Sequence, residues 1–110
     1  MSPQERKTFG QMISDGRKTM GFSQKQLAAL IRKENGDPIS PQYLNDIEHS
    51  RRNPPNEFIT KQLATKLKLD KDLLLFVSGF LPEDIRKIGL AKPETIDQAY
   101  SLFRKAKKED

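Results

Sequence analysis

The sequence predicts an all-α fold, and three observations carry the prediction. Apolar residues recur at spacings of three and four along the whole chain, which lines them up on one side of an α-helix. No stretch alternates apolar and polar residues for long enough to make a half-buried strand. Helix-stopping residues fall between the periodic stretches, at Gly21, at Glu34-Asn35-Gly36-Asp37-Pro38, at Asn53-Pro54-Pro55, at Gly79 and at Pro93. With 110 residues there is room for one compact domain and a short appendage, and none for a second catalytic domain.

Phe9, Ile13 and Met20 share a face of the first predicted helix, which should stop at Gly21, a residue suited to a left-handed cap. Ser23 is placed to accept a hydrogen bond from a free N–H at the start of a second helix, whose apolar stripe is Leu27, Leu30 and Ile31 and which should run to about Lys33. The turn formers from Glu34 to Pro38 break it. Ser40 followed by Pro41 reads as an N-cap with proline in the first helical position, where its missing N–H costs nothing. The third helix is then short, with Leu44 and Ile47 facing inward behind Ile39 and the rest polar. Ile59, Leu63, Ala64 and Leu67 mark a fourth helix, and the apolar run from Leu73 to Val77 a fifth, closed by Gly79. Pro82 opens a sixth helix through about Ile88; Pro93 opens a seventh, in which Ile96, Ala99, Tyr100 and Phe103 repeat the helical spacing. From Lys105 onward the tail should fray. The joint near Gly79 divides a five-helix domain, residues 1–78, from a helical extension, residues 79–110.

Net charge is +5 and the excess is spread along the chain, with nine basic against six acidic residues before position 56 and eleven against nine after it. Such a balance permits a polyanionic partner and identifies none. The absence of cysteine rules out disulfides and thiolate metal sites and fits a reducing compartment. The first ten residues lack the apolar core of a signal peptide, and the longest apolar run is far too short to span a bilayer, so a cytoplasmic protein with no membrane association is expected. The single histidine, His49, ends a helix, where an imidazole is ordinarily a solvent-facing dipole partner, and the carboxylates show no metal-ligand spacing. No enzyme, metal or cofactor is expected.

The third helix, short and polar outside, would suit insertion in a DNA major groove. Its neighbourhood contains Gly21-Phe22-Ser23-Gln24, Leu27-Ala28, Ile39-Ser40, Tyr43-Leu44, Ile47-Glu48 and Arg51-Arg52-Asn53-Pro54. From about Phe9 to Leu74 these residues resemble the Cro/C1 repressor-like, or XRE, helix-turn-helix family. The resemblance implies a five-helix lambda-repressor-like domain that binds double-stranded DNA. It implies that Pro41, Gln42, Tyr43, Asn45 and Asp46 face base edges, and that Gln24, Ser40, Arg51 and Arg52 meet phosphates. Arg17 and Glu48 fall where relatives carry an ion pair between the first and third helices. The residue types suit these places: Gln42 and Asn45 can pair with adenine, Asp46 can accept from cytosine N4, and Pro41 has only apolar contact to offer. The chain departs from the pattern in two respects. About six extra residues separate Ala28 from Ser40, and Pro38 and Ser50 stand where relatives have glycine. A longer second helix followed by a loop would absorb the insertion, with Lys33 and Asn35 adding backbone contacts.

The extension spends Ile85, Ile88, Leu90, Ile96, Tyr100, Leu102 and Phe103 on burial against something, either the chain's own core or another molecule. Readers of this kind bind two half-sites about 34–36 Å apart, which calls for a two-fold dimer. The expected dimerisation residues are Leu74, Phe76, Val77 and Phe80 around the joint, and Ile96, Tyr100 and Phe103 farther along the extension. The principal reading is a homodimeric repressor occupying an inverted-repeat operator. The alternative is an antitoxin or other interaction module whose C-terminal helices bind a partner protein.

Overall fold

The computed structural model describes residues 7–109; residues 1–6 and 110, which carry most of the amino-terminal reading and the last residue of the tail, lie outside them. The described chain is helical without a strand: α1 (Phe9–Thr19), α2 (Gln24–Leu30), α3 (Pro41–Glu48), α4 (Glu57–Leu67), α5 (Lys71–Ser78), α6 (Glu83–Ala91) and α7 (Glu94–Glu109). It forms two compact units that divide after Phe80.

Each helix of the first unit starts on a side chain that accepts from an otherwise free N–H. Thr8 and Ser23 form reciprocal capping boxes with Gln11 and Gln26, while Ser40, Asn56 and Asp70 cap α3, α4 and α5. Such caps contribute about 1 kcal/mol each. Gly21, at φ +79°, takes the left-handed turn after α1, and Gly79, at φ +88°, takes it after α5.

Ile13, Leu27, Ile31, Leu44, Leu63 and Leu74 are completely buried and form the centre of the core, with Phe9, Ile39, Ile47 and Leu67 around them. Met20 packs only partly against this cluster. A single missing side chain sets the distance between α1 and α3. A Cβ on Gly10 would collide with the carbonyl oxygens of Ile47 and Glu48, so only glycine lets the first helix rest on the last turn of the third.

The long turn differs from the expectation. Helix α2 ends at Leu30, not Lys33, and Ile31 is extended, at φ −105° and ψ 126°. Leu30 is exposed, so the stripe expected of α2 is completed by Ile31 from outside the helix. The added residues close on themselves as a small hairpin. Ile39 N–H donates to Ile31 C=O, Lys33 N–H to Asp37 C=O and Gly36 N–H to Lys33 C=O, and Arg32 bridges to Pro38. Gln62 of α4 fastens its base by accepting from the Arg32 N–H and donating to the Arg32 carbonyl, both at 2.8 Å. Leaving the helix early turns Ile31 and Ile39 into the core as a pair, and the burial of both compensates for the lost helical bonds.

In the second unit Lys92 and Pro93 join α6 to α7. Gly89 is its one fully buried residue among those described, and the Ile96 side chain lies directly over it. Ile85, Ile88, Leu90, Tyr100 and Leu102 are each more than half exposed. Helix α7 runs from Glu94 to Glu109.

Candidate nucleic-acid interface

The outer face of α3 carries a connected set of polar side chains, and its inner face anchors the helix through buried Leu44 and Ile47. Proline at the first position and the Ser40 hydroxyl, which accepts from Tyr43 N–H at 3.0 Å, fix where the helix begins. Its end is equally defined. Ser50 N–H donates to Ile47 C=O and Arg51 N–H to Asp46 C=O, a Schellman closure in which Ser50 takes the left-handed conformation at φ +58°. This turn folds Arg51 and Arg52 back beside the helix they follow.

Glu48 is the anchor below this face. Its carboxylate, 2% exposed, receives Arg17 Nε at 2.7 Å on Oε2 and the second guanidinium nitrogen at 3.0 Å on Oε1. Arg17 also donates to the Phe22 carbonyl at 2.9 Å. Gln24 adds a third donor, Nε2 to Glu48 Oε1 at 3.1 Å. One carboxylate therefore joins α1, the turn before α2, α2 and α3. The bidentate geometry and the full set of donors satisfy a charge that would otherwise be costly to bury.

The network continues outward. Asn45 Nδ2 donates to Gln24 Oε1 at 3.2 Å, and Arg51 donates to Asn45 Oδ1 at 3.1 Å. Gln42 Nε2 donates to Asp46 Oδ1 at 2.9 Å, with Arg51 3.7 Å from the same oxygen and Arg52 Nε 3.6 Å from Oδ2. The Arg52 guanidinium lies over the Tyr43 ring at 5.3 Å. Tyr43, Ser50, Arg51, Arg52 and Asn53 line an open recess of about 470 Å³. A second recess, about 360 Å³, brings Lys33 together with Ser40, Tyr43 and Arg52.

Pro41 and Gln42 are exposed and Tyr43, Asn45 and Asp46 half-buried, so all five residues expected at bases lie on or near one accessible surface. Ser40, Arg51 and Arg52 border it, while Gln24 reaches it from α2 with both ends of its amide engaged. The dimerisation set is not brought together in the same way. Leu74 is completely buried, because it is one of the side chains on which α5 packs, and it is not available to a partner. Val77 packs partly on the same core; Phe76 and Phe80 are exposed. Ile96, Tyr100 and Phe103 are exposed on the second unit. His49 holds its ring nitrogen 2.8 Å from the Asn45 carbonyl.

Two elements were not legible in the sequence. Gln62 lies far along the chain from the turn it fastens, and a lone glutamine on an amphipathic helix has no signature. The Gln24–Glu48 and Asn45–Gln24 hydrogen bonds join residues that were assigned individually, and only the packing of α2 on α3 makes them neighbours.

Five capped helices, with α3 presenting a polar face above a buried ion pair, define a helix-turn-helix domain. A family model described as helix-turn-helix matches residues 13–73, and the chain belongs to that family, in its Cro/C1 or XRE type. It is a family of DNA-binding transcription regulators with a lambda-repressor-like all-α fold, so DNA is the partner of this domain. No curated protein and no solved structure matched the chain significantly. Among the described residues, no helix is long and apolar enough to cross a membrane.

Proposed function

We propose that the protein is a homodimeric repressor that places α3 in the major groove of each half of an inverted-repeat operator. The observation that carries the reading is the polar face from Pro41 to Asp46, held in position from beneath by the Arg17–Glu48 pair. Gln42 offers the amide pattern that matches adenine N6 and N7, with Asn45 and Tyr43 beside it and Pro41 supplying apolar contact to a thymine methyl. Gln24, Ser40, Arg51 and Arg52 serve the phosphates on either side and fix the register of the helix. The exposed apolar residues of α6 and α7 favour association through the second unit. Six of them, Ile85, Ile88, Leu90, Tyr100, Leu102 and Phe103, are more than half exposed, apolar surface of the kind that marks an interaction site. A second copy is the occupant that the half-site spacing of these readers requires, and an antitoxin-like partner protein is the other reading of the same surface. We place this regulator in the cytoplasm, in keeping with a cysteine-free chain.

Selection of binding sites from random duplex DNA tests the reading. The wild type should enrich an inverted repeat. Gln42→Ala should lose preference at one position of each half-site. Arg52→Ala should bind all sequences more weakly, with the slope of log affinity against log salt shallower by about 0.9. No sequence preference in the wild type would sink the proposal. Sedimentation equilibrium decides the assembly, since a chain that stays monomeric at all concentrations and captures a stoichiometric partner would favour the interaction module.

A further inference from the structure

We infer that Asp46 is a specificity-determining positioning residue: it acts by orienting Gln42 and restraining Arg51 and Arg52, and it does not itself read a base. The inference rests on the DNA-reading role of α3 proposed above. Its basis is the occupancy of one carboxylate. Gln42 donates to Oδ1 at 2.9 Å, Arg51 lies 3.7 Å from the same oxygen and Arg52 lies 3.6 Å from the other. The Asp46 side chain is 18% exposed, whereas those of the two arginines are 61% and 58% exposed. The acid is thus covered by its own partners, while the cations around it remain open to solvent.

Two consequences follow from elementary chemistry. A carboxylate only accepts, so it selects the NH₂ end of the Gln42 amide. That leaves the second Nε2 hydrogen and Oε1 for the outside, the donor and acceptor that adenine N7 and N6 require. Without the carboxylate the amide is free to turn over, which would reverse this pattern. The second consequence is electrostatic. Phosphates meet two arginines already engaged with a negative charge, so each phosphate contact competes with Asp46. Sequence-independent attraction, which would otherwise hold the protein on any duplex, is discounted by about one charge, and base contacts carry a larger share of the affinity.

The test uses the full chain with Asp46→Asn, which preserves size, and Asp46→Glu, which preserves charge, on an enriched duplex and on a random duplex across a salt series. For Asp46→Asn on random DNA, the slope of log affinity against log salt should steepen by about 0.9, close to an eightfold gain at 0.1 M salt. Discrimination at the position read by Gln42 should fall. Asp46→Glu should keep the wild-type slope. An unchanged slope for Asp46→Asn would overturn the inference, as would a loss of preference confined to a C·G pair, the mark of a direct cytosine contact. An Asp46→Glu slope as steep as that of Asp46→Asn would also overturn it. Thermal unfolding of both variants identifies a folding defect, and if the amide variant fails to fold, Asp46→Ala in the same salt series should steepen the slope by the same amount, an unchanged slope overturning the inference. If the wild type itself shows no sequence preference, the DNA-reading proposal falls; if wild-type preference persists while Asp46→Asn behaves as wild type, only the role of Asp46 falls.

Discussion

Replacing Arg17 with methionine would leave Glu48 buried at 2% exposure with Gln24 Nε2 as its remaining side-chain donor. Three hydrogen bonds disappear, two to the carboxylate and one to the Phe22 carbonyl. Breaking a buried pair by removing one partner costs about 3–5 kcal/mol. The lower end applies here, because the Arg17 side chain is 12% exposed and water can reach part of the vacated site. A domain of this size holds roughly 4–11 kcal/mol in total, so a loss of about 3 kcal/mol removes a large part of it. At about 4–8 °C per kcal/mol, the midpoint should fall by roughly 12–24 °C. Urea unfolding read by tyrosine fluorescence in a Tyr100→Phe background isolates the first unit, since Tyr43 is then the sole tyrosine. The double variant Arg17→Met with Glu48→Leu removes both charges and should be more stable than Arg17→Met alone. A loss below about 1 kcal/mol for the single variant, or a cycle additive to within about 0.5 kcal/mol, would refute the assignment of Glu48 as the anchor of α3.

Two further predictions concern the backbone. Ser50 and Lys68 both hold positive φ, at +58° and +54°, a conformation that costs an L-residue about 1–2 kcal/mol. Changing either to glycine removes that cost and increases unfolded-state entropy by about 0.4–1 kcal/mol. Each should therefore gain roughly 0.5–1 kcal/mol in urea unfolding, and a loss at either position would contradict the description of its turn. Gln62→Ala should release the hairpin base at a cost of about 1 kcal/mol. Amide exchange at Arg32 should accelerate well beyond that in α4, and unchanged protection there would show that Gln62 does not hold the turn.

The helices were legible because each is specified locally. Ser23, Ser40-Pro41 and Gly79 announce their roles as caps through their own chemistry, and apolar spacing marks the buried side of a helix without reference to what it packs on. Family likeness located α3 and its polar face for the same reason, since the spaced residues from Phe22 to Pro54 lie close in sequence. The turn was read less well. Extending α2 to Lys33 obeyed local propensity, but burial of Ile31 and the two hydrogen bonds from Gln62 override it, and neither is a local property. Leu74 shows the same limit from the opposite direction: in an apolar run from Leu73 to Val77, periodicity cannot separate the side chains that face the core from those left outside.

By itself, then, the sequence determined the class of the domain, the order of its helices and which residues form the polar face of α3. Tertiary structure decided how those residues are joined to one another. Only when α1, α2 and α3 pack together do Arg17, Gln24 and Glu48 converge, and only the left-handed turn at Ser50 carries Arg51 and Arg52 back to Asp46. Hydrogen bonds and ion pairs depend on distances of a few ångströms between residues remote in the chain, and no periodicity in one dimension encodes them.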